Sequence, residues 1–152
     1  MRSFIKTNSS HSDFAVLVAE LDADLAKRDG EEHAFYSQFN SIDILQHVVI
    51  CYENDVAIGC GAIKEFSKTS VEVKRMYVPP KQRGKGIASQ ILRELENWAS
   101  EMGYTKCVLE TGKRQPEAIA LYTKNGYTII PNYDPYKEME NSVCFEKNLS
   151  FI

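Results

Sequence analysis

Val71-Glu-Val-Lys-Arg-Met-Tyr-Val-Pro-Pro-Lys-Gln-Arg-Gly-Lys-Gly-Ile-Ala88 decides how this chain is read. Its first half, to Val78, has the β-branched character of a strand, and Pro79-Pro80 cannot continue a hydrogen-bonded ladder. A basic loop with two glycines follows, and an apolar periodicity of three and four begins at Ile87. The stretch is therefore strand, glycine-containing loop, helix N-terminus. A helix start has unpaired N–H groups and a partial positive charge, so an anion fits there. Gly84 and Gly86 allow a tight turn and close approach to a phosphate, while Arg83 and Lys85 add charge at the rim. A lone G-x-G would read as an ordinary solvated loop.

Two nucleotide motifs fail on these residues. A Walker A loop needs Ser or Thr after Gly-Lys and a glycine five positions before it; Gly86 and Pro79 stand there instead. A dinucleotide fingerprint needs Gly or Ala in its last place, and Ser89 occupies it. A nucleotide-binding α/β domain is thus a weak rival.

Working outward, Ile87, Ile91, Leu92, Leu95, Trp98 and Met102 share one side of a helix from about Gly86 to Met102, stopped by Gly103. Upstream, 48–52 and 56–63 read as strands joined by the turn Glu53-Asn54-Asp55. Before them, Ser10-His11-Ser12-Asp13 offers a serine cap to a helix carrying Phe14, Leu17, Val18, Leu21 and Leu25 on one face, with Gly30 as its stop. A second short helix is expected over 31–39. Downstream, 106–110 is a short buried strand, and Pro116 opens a helix with Ala118, Ile119 and Tyr122 on one face, closed by Asn125-Gly126. Strands over 127–130 and 142–147 finish the chain. Such an order predicts a mixed α/β sheet covered by helices on both faces.

The chain has 152 residues, enough for one domain with a core, and residues 1–152 are read as a single domain. No apolar run approaches the roughly 20 residues of a membrane helix, and no signal peptide is read at the N-terminus. A net charge of -3 gives no general pull toward nucleic acid. Cys51, Cys60, Cys107 and Cys144 are widely spaced in apolar stretches, the pattern of reduced buried thiols in a cytoplasmic protein. His11, His33 and His47 show no metal-ligand spacing, so no metal site is expected.

Arg83-Gly84-Lys85-Gly86-Ile87-Ala88 resembles the R/Q-x-x-G-x-G/A motif of the GNAT superfamily of acyl-CoA N-acyltransferases. Lys74-Arg75-Met76-Tyr77-Val78 looks like the strand preceding that motif. Residues 118–127, a helix with Tyr122 followed by Gly126 and Tyr127, look like the family's second signature. The resemblance runs over about 48–147, and its ending is similar to a bacterial-type branch of small acetyltransferases. It implies a mostly antiparallel sheet with helices on both faces, its strands parting where the cofactor enters.

By that resemblance the chain is an N-acetyltransferase moving an acetyl group from acetyl-CoA to a primary amine by direct attack; the alternative is a non-catalytic acyl-CoA-binding module. Backbone N–H groups from Arg83 to Ala88 would hold the pyrophosphate. The pantetheine arm would pair along Met76, Tyr77 and Val78, with the Met76 N–H as oxyanion donor; a fixed donor in a dry site is worth about 3–4 kcal/mol. Gln115 stands where family members often carry a cofactor-contacting Asn, and either contacts the cofactor or caps the helix. Tyr122 is the candidate acid for the leaving thiolate, against packing as an ordinary core aromatic. Glu72 is the candidate base, read on one strand face with Lys74, Met76 and Val78, against serving as a partner to Lys74. Glu110 or water are the other candidates for the base. Tyr133 and Tyr136 are expected to shape the acceptor side. The acceptor is a small-molecule or peptide amine, with no nucleic acid or membrane partner, and an exposed strand edge offers a route to a homodimer.

Overall fold

A computed structural model describes residues 1–32 and 44–149. The strands are β1 (Arg2–Thr7), β2 (His47–Glu53), β3 (Val56–Glu65), β4 (Ser70–Tyr77), β5 (Lys106–Gly112), β6 (Thr128–Ile130) and β7 (Ser142–Asn148). The helices are α1 (Ser12–Asp29), α2 (Ile87–Glu101) and α3 (Pro116–Lys124), with short 3-10 turns at Gly30–Glu32 and Pro80–Gln82. Of the helix expected over 31–39, only the end of the first 3-10 turn falls within the described residues.

The seven strands form one sheet in the order β1-β2-β3-β4-β5-β7-β6, antiparallel except between β4 and β5. Helix α1 covers one face through Phe14, Leu17, Val18 and Leu21, against Val48, Ile50, Cys60 and Ala62. Helices α2 and α3 cover the other, where Ile87, Ile91, Leu92, Leu95 and Tyr122 meet Val71, Val73, Leu109 and Phe145. Met102 is exposed, because α2 ends before it and Ala99 takes the buried position instead.

Three local features differ from the expectation. Strand β1 was not foreseen: Phe4 and Ile5 are adjacent rather than alternating, so the edge strand lacks a clear period of two. Helix α1 is capped by His11, not by serine; the imidazole Nδ1 accepts the Asp13 N–H at 3.1 Å, and Gly30 ends the helix at φ 57°. The third difference lies in β4 and matters most.

Arg75 has φ 60°, in the left-handed region that side-chain-bearing residues rarely adopt. The register against β3 slips there: Lys74 faces Ala62, but Tyr77 faces Cys60. This extra residue is a β-bulge, and it inverts the alternation beyond it. Glu72 and Lys74 lie opposite Lys64 and Ala62 on the α1 face. Met76 lies on the α2 face, where a Cβ added at Gly61 would meet its sulfur and Leu95. The expected shared face for Glu72, Lys74, Met76 and Val78 is therefore wrong beyond Lys74.

Strands β4 and β5 pair only through Ser70–Lys106, Val71–Cys107 and Glu72–Val108. From Val73 onward the β5-facing edge of β4 has no strand partner among the described residues, which is the parting of strands that the resemblance implied.

Candidate active site

The parted strands open onto a groove of about 410 Å³ beside the N-terminus of α2. The loop sets its floor: Gly84 and Gly86 stand at φ 80° and 78°, the latter as N-cap of α2 in the left-handed conformation. Neither has an atom within 4 Å of where a Cβ would stand, so the backbone lies open toward the groove. Among the described residues, no backbone N–H from Gly84 to Ser89 is spent on a carbonyl; the first bond of α2 runs from Gln90 N–H to the Gly86 carbonyl at 3.1 Å. The N–H of Arg83 is spent, donating to the Pro80 carbonyl at 3.3 Å, so the open series begins one residue later than expected. A row of free N–H groups at the positive end of a 15-residue helix fits a pyrophosphate.

The rim cations are held differently. Arg83 donates through Nε to the Val78 carbonyl at 2.7 Å, and its guanidinium carbon sits 5.8 Å from the centre of the Tyr77 ring. Lys85 is exposed and reaches Gln82 at 3.2 Å. Sequence reasoning missed Arg2, whose guanidinium donates to the Lys85 carbonyl at 2.9 Å and to the Gln90 side chain. The signal was absent because 83 residues separate Arg2 from the loop it braces.

A second cavity, of about 110 Å³, adjoins the groove on the α1 side. The two share Leu21, Met76, Gln115, Ala118 and Tyr122 in their walls. Met76, Tyr77, Val78, Arg83, Gly84, Gly86, Ile87, Ala88 and Gln115 all line the groove, as does Tyr122. Lys85 stands outside the lining, and Glu72 lines the second cavity only. Gln115 makes no side-chain capping bond at the head of α3, which removes the capping alternative, and the residue lines both spaces.

Tyr122 is buried beside Tyr127 and Phe145, at ring-centre distances of 5.7 and 6.0 Å. Burial, with the charge of Glu110 second, pushes its phenol well above the usual value near 10. It stays protonated at any physiological pH.

Across the smaller cavity, Glu72 accepts the Tyr133 hydroxyl at 2.8 Å and lies 3.9 Å from the Lys74 ammonium. Burial, with Glu72 second, pushes the Tyr133 phenol upward. Burial also lowers the Lys74 pKa, opposed by Glu72. Glu110 accepts the Ser142 hydroxyl at 2.8 Å. Tyr136 lines this cavity directly, whereas Tyr133 reaches it through Glu72. Among the described residues no group of three His, Cys, Asp or Glu side chains is arranged to hold a metal ion. No described helix is long and apolar enough to cross a membrane.

Comparison with known proteins agrees with this geometry. The chain is 35% identical over 102 residues to an IAA acetyltransferase of Azospirillum brasilense, covering 66% of this chain and 67% of that one. It superimposes on a putative acyl-CoA N-acyltransferase from Klebsiella pneumoniae with a TM-score of 0.81 and 31% identity, covering 98% of both chains. A GNAT acetyltransferase from Elizabethkingia anophelis, solved with acetyl-CoA bound, shares the fold at a TM-score of 0.70 and 18% identity, over 97% of each chain. The model of the acetyltransferase (GNAT) family matches residues 15–127, well over half of the sequence. The chain belongs to that family.

Proposed function

We propose that the whole chain acts as one N-acetyltransferase domain, moving the acetyl group of acetyl-CoA to a primary amine by direct attack. The observation that carries this reading is the position of Tyr122, in the wall shared by the long groove and the smaller cavity. A thioester at the end of the groove and an amine in the cavity meet beside its hydroxyl.

In this reading the N–H groups of Gly84 to Ser89 hold the pyrophosphate, and the unpaired edge of β4 around Met76 to Val78 binds the extended arm. The amine nitrogen attacks the thioester carbonyl and the oxygen takes up the negative charge, stabilised by the Met76 N–H. The tetrahedral centre then collapses, the C–S bond breaks, the thiolate takes a proton from Tyr122, and the proton that the attacking nitrogen sheds in becoming an amide restores the phenol. A phenol with a raised pKa is a weak donor, but the same dry surroundings raise the basicity of the thiolate. Proton transfer between the two stays near balance.

The amine must first lose a proton, at a cost of roughly 4–5 kcal/mol for an alkyl ammonium at pH 7. Glu72 and Glu110 both line the cavity, which supports either one as the acceptor of that proton. Glu110 is the one whose charge acts on Tyr122, while Glu72 is engaged by Tyr133 and Lys74.

Thermal unfolding with acetyl-CoA, CoA, ATP and NAD tests the binding half. A ligand at about 100 times its Kd stabilises by roughly 2.7 kcal/mol, a rise of about 5–11 °C. A rise with the two CoA species alone is the expected result, and a rise with ATP or NAD instead overturns it. Release of CoA thiol on adding an amine separates an enzyme from a domain that only binds acyl-CoA.

A further inference from the structure

The smaller cavity is charged in both signs. Glu72 and Glu110 contribute two carboxylates to its wall, and Lys74 and Arg75 two cations. A site for a simple polyamine needs acids alone, because each added cation in its wall opposes the ligand. These cations are well out of water: the side chain of Lys74 is 13% exposed and that of Arg75 only 2%.

Arg75 is the more telling of the two. Its Nη1 donates to Asp22 of α1 at 2.8 Å, but its Nη2 is buried and has no hydrogen-bond partner. A buried donor on a charged group is costly to leave unmade, and such groups in folded proteins are almost always satisfied. The residue also stands at φ 60°, a strained conformation that persists only where the surroundings enforce it. A carboxylate brings two acceptor oxygens to a guanidinium edge, the pairing with the strongest geometric match.

We propose that the acceptor is an amino acid or a similarly small zwitterion, its carboxylate received by Arg75 and Lys74 and its amine lying toward Glu110 and Tyr122. The inference rests on the acetyl-transfer reading above and names the substrate class of the same site. A volume of about 110 Å³ admits such a molecule, and the balance of two acids against two bases in the wall is the complement of a ligand with separated charges and no net charge. Glu110 marks the amine end, since it shares the cavity wall with Tyr122 and its charge acts on that phenol.

The test is calorimetric titration of CoA-loaded protein with the twenty common L-amino acids, their α-amides, and spermidine. CoA binding and amine-dependent thiol release are measured first on the same samples. If those fail, the acetyl-transfer reading falls by itself. With CoA bound, at least one amino acid is expected to bind at least about tenfold more tightly than its own amide, the scale of one hydrogen bond to a charged group. Lys74→Gln is expected to erase that preference while leaving the CoA affinity unchanged. Arg75→Lys, which keeps the charge but removes the Nη2 donor, is expected to weaken the amino acid and spare the amide. Equal or tighter binding of amides or spermidine overturns the proposal, and so does binding of none of the amino acids to CoA-loaded protein.

Discussion

Replacing Tyr122 by phenylalanine isolates one oxygen atom at the meeting point of groove and cavity. The ring packs against Tyr127 and Phe145, and those contacts survive the change. The hydroxyl makes no hydrogen bond to another described side chain, so its removal orphans no partner; the stability cost should stay below about 1 kcal/mol. That corresponds to a melting shift of no more than about 2–4 °C for a chain of this size. Loss of a general acid costs about 10²–10⁴ in rate, equal to roughly 2.7–5.4 kcal/mol of barrier. The assay is release of CoA thiol followed with a chromogenic disulfide. The protein's own thiols interfere little, because all four cysteines are buried and burial pushes Cys60 and Cys107 up to about 12. The expected outcome is an unchanged affinity for acetyl-CoA with kcat reduced at least a hundredfold. Since the Tyr122 pKa is raised, the wild-type enzyme should show no alkaline loss from this group up to about pH 10. A variant with kcat within about twofold of wild type from pH 6 to 10 refutes the role.

Arg2→Ala removes the donor that braces the phosphate loop at Lys85 and Gln90, and should raise KM for acetyl-CoA about 2–10-fold with kcat preserved; an unchanged KM shows that the loop stands without it. Gly61→Ala drives a methyl group into Met76 and Leu95, the latter at 2.9 Å, and should destabilise the fold by about 1–3 kcal/mol in urea unfolding; a neutral result means that Met76 is free to move aside. Burial holds the Lys74 pKa below its ordinary value, so the unfolded chain binds that proton more tightly. Stability contributed by this group therefore rises with pH from its folded pKa toward about 10.4, and Lys74→Gln should flatten that part of the stability curve. An identical slope in the variant removes Lys74 as its source.

The strand-loop-helix stretch was legible because each of its signals is local: paired prolines end a strand, two glycines permit positive φ, and Ile87, Ile91 and Leu95 repeat at helical spacing. The groove lining followed except at Lys85, for Met76 to Val78 and Arg83 to Ala88 are near neighbours in sequence. What escaped was non-local or conformational. The bulge at Arg75 leaves no mark in residue type, since arginine has no preference for the left-handed region, yet it decides which face Met76 takes. The bond between Tyr133 and Glu72 spans 61 positions, and that from Arg2 to the Lys85 carbonyl spans 83. Strand β1 is ordered by its ladder to β2 rather than by its own pattern.

The gap between β4 and β5 also explains how such a sheet stays selective about what joins it. An unpaired strand edge ordinarily invites another polypeptide, whose side chains project above and below the sheet and need about 10 Å of clearance to neighbouring layers. Here the gap is roofed by Leu21 of α1 on one side and by Ala118, Leu121 and Tyr122 of α3 on the other, and it narrows to a three-pair junction at its closed end. A peptide with bulky side chains cannot enter far. A slender chain carrying its own amide groups is the better fit to such an opening, which would then act as a gauge of molecular thickness before any chemistry begins.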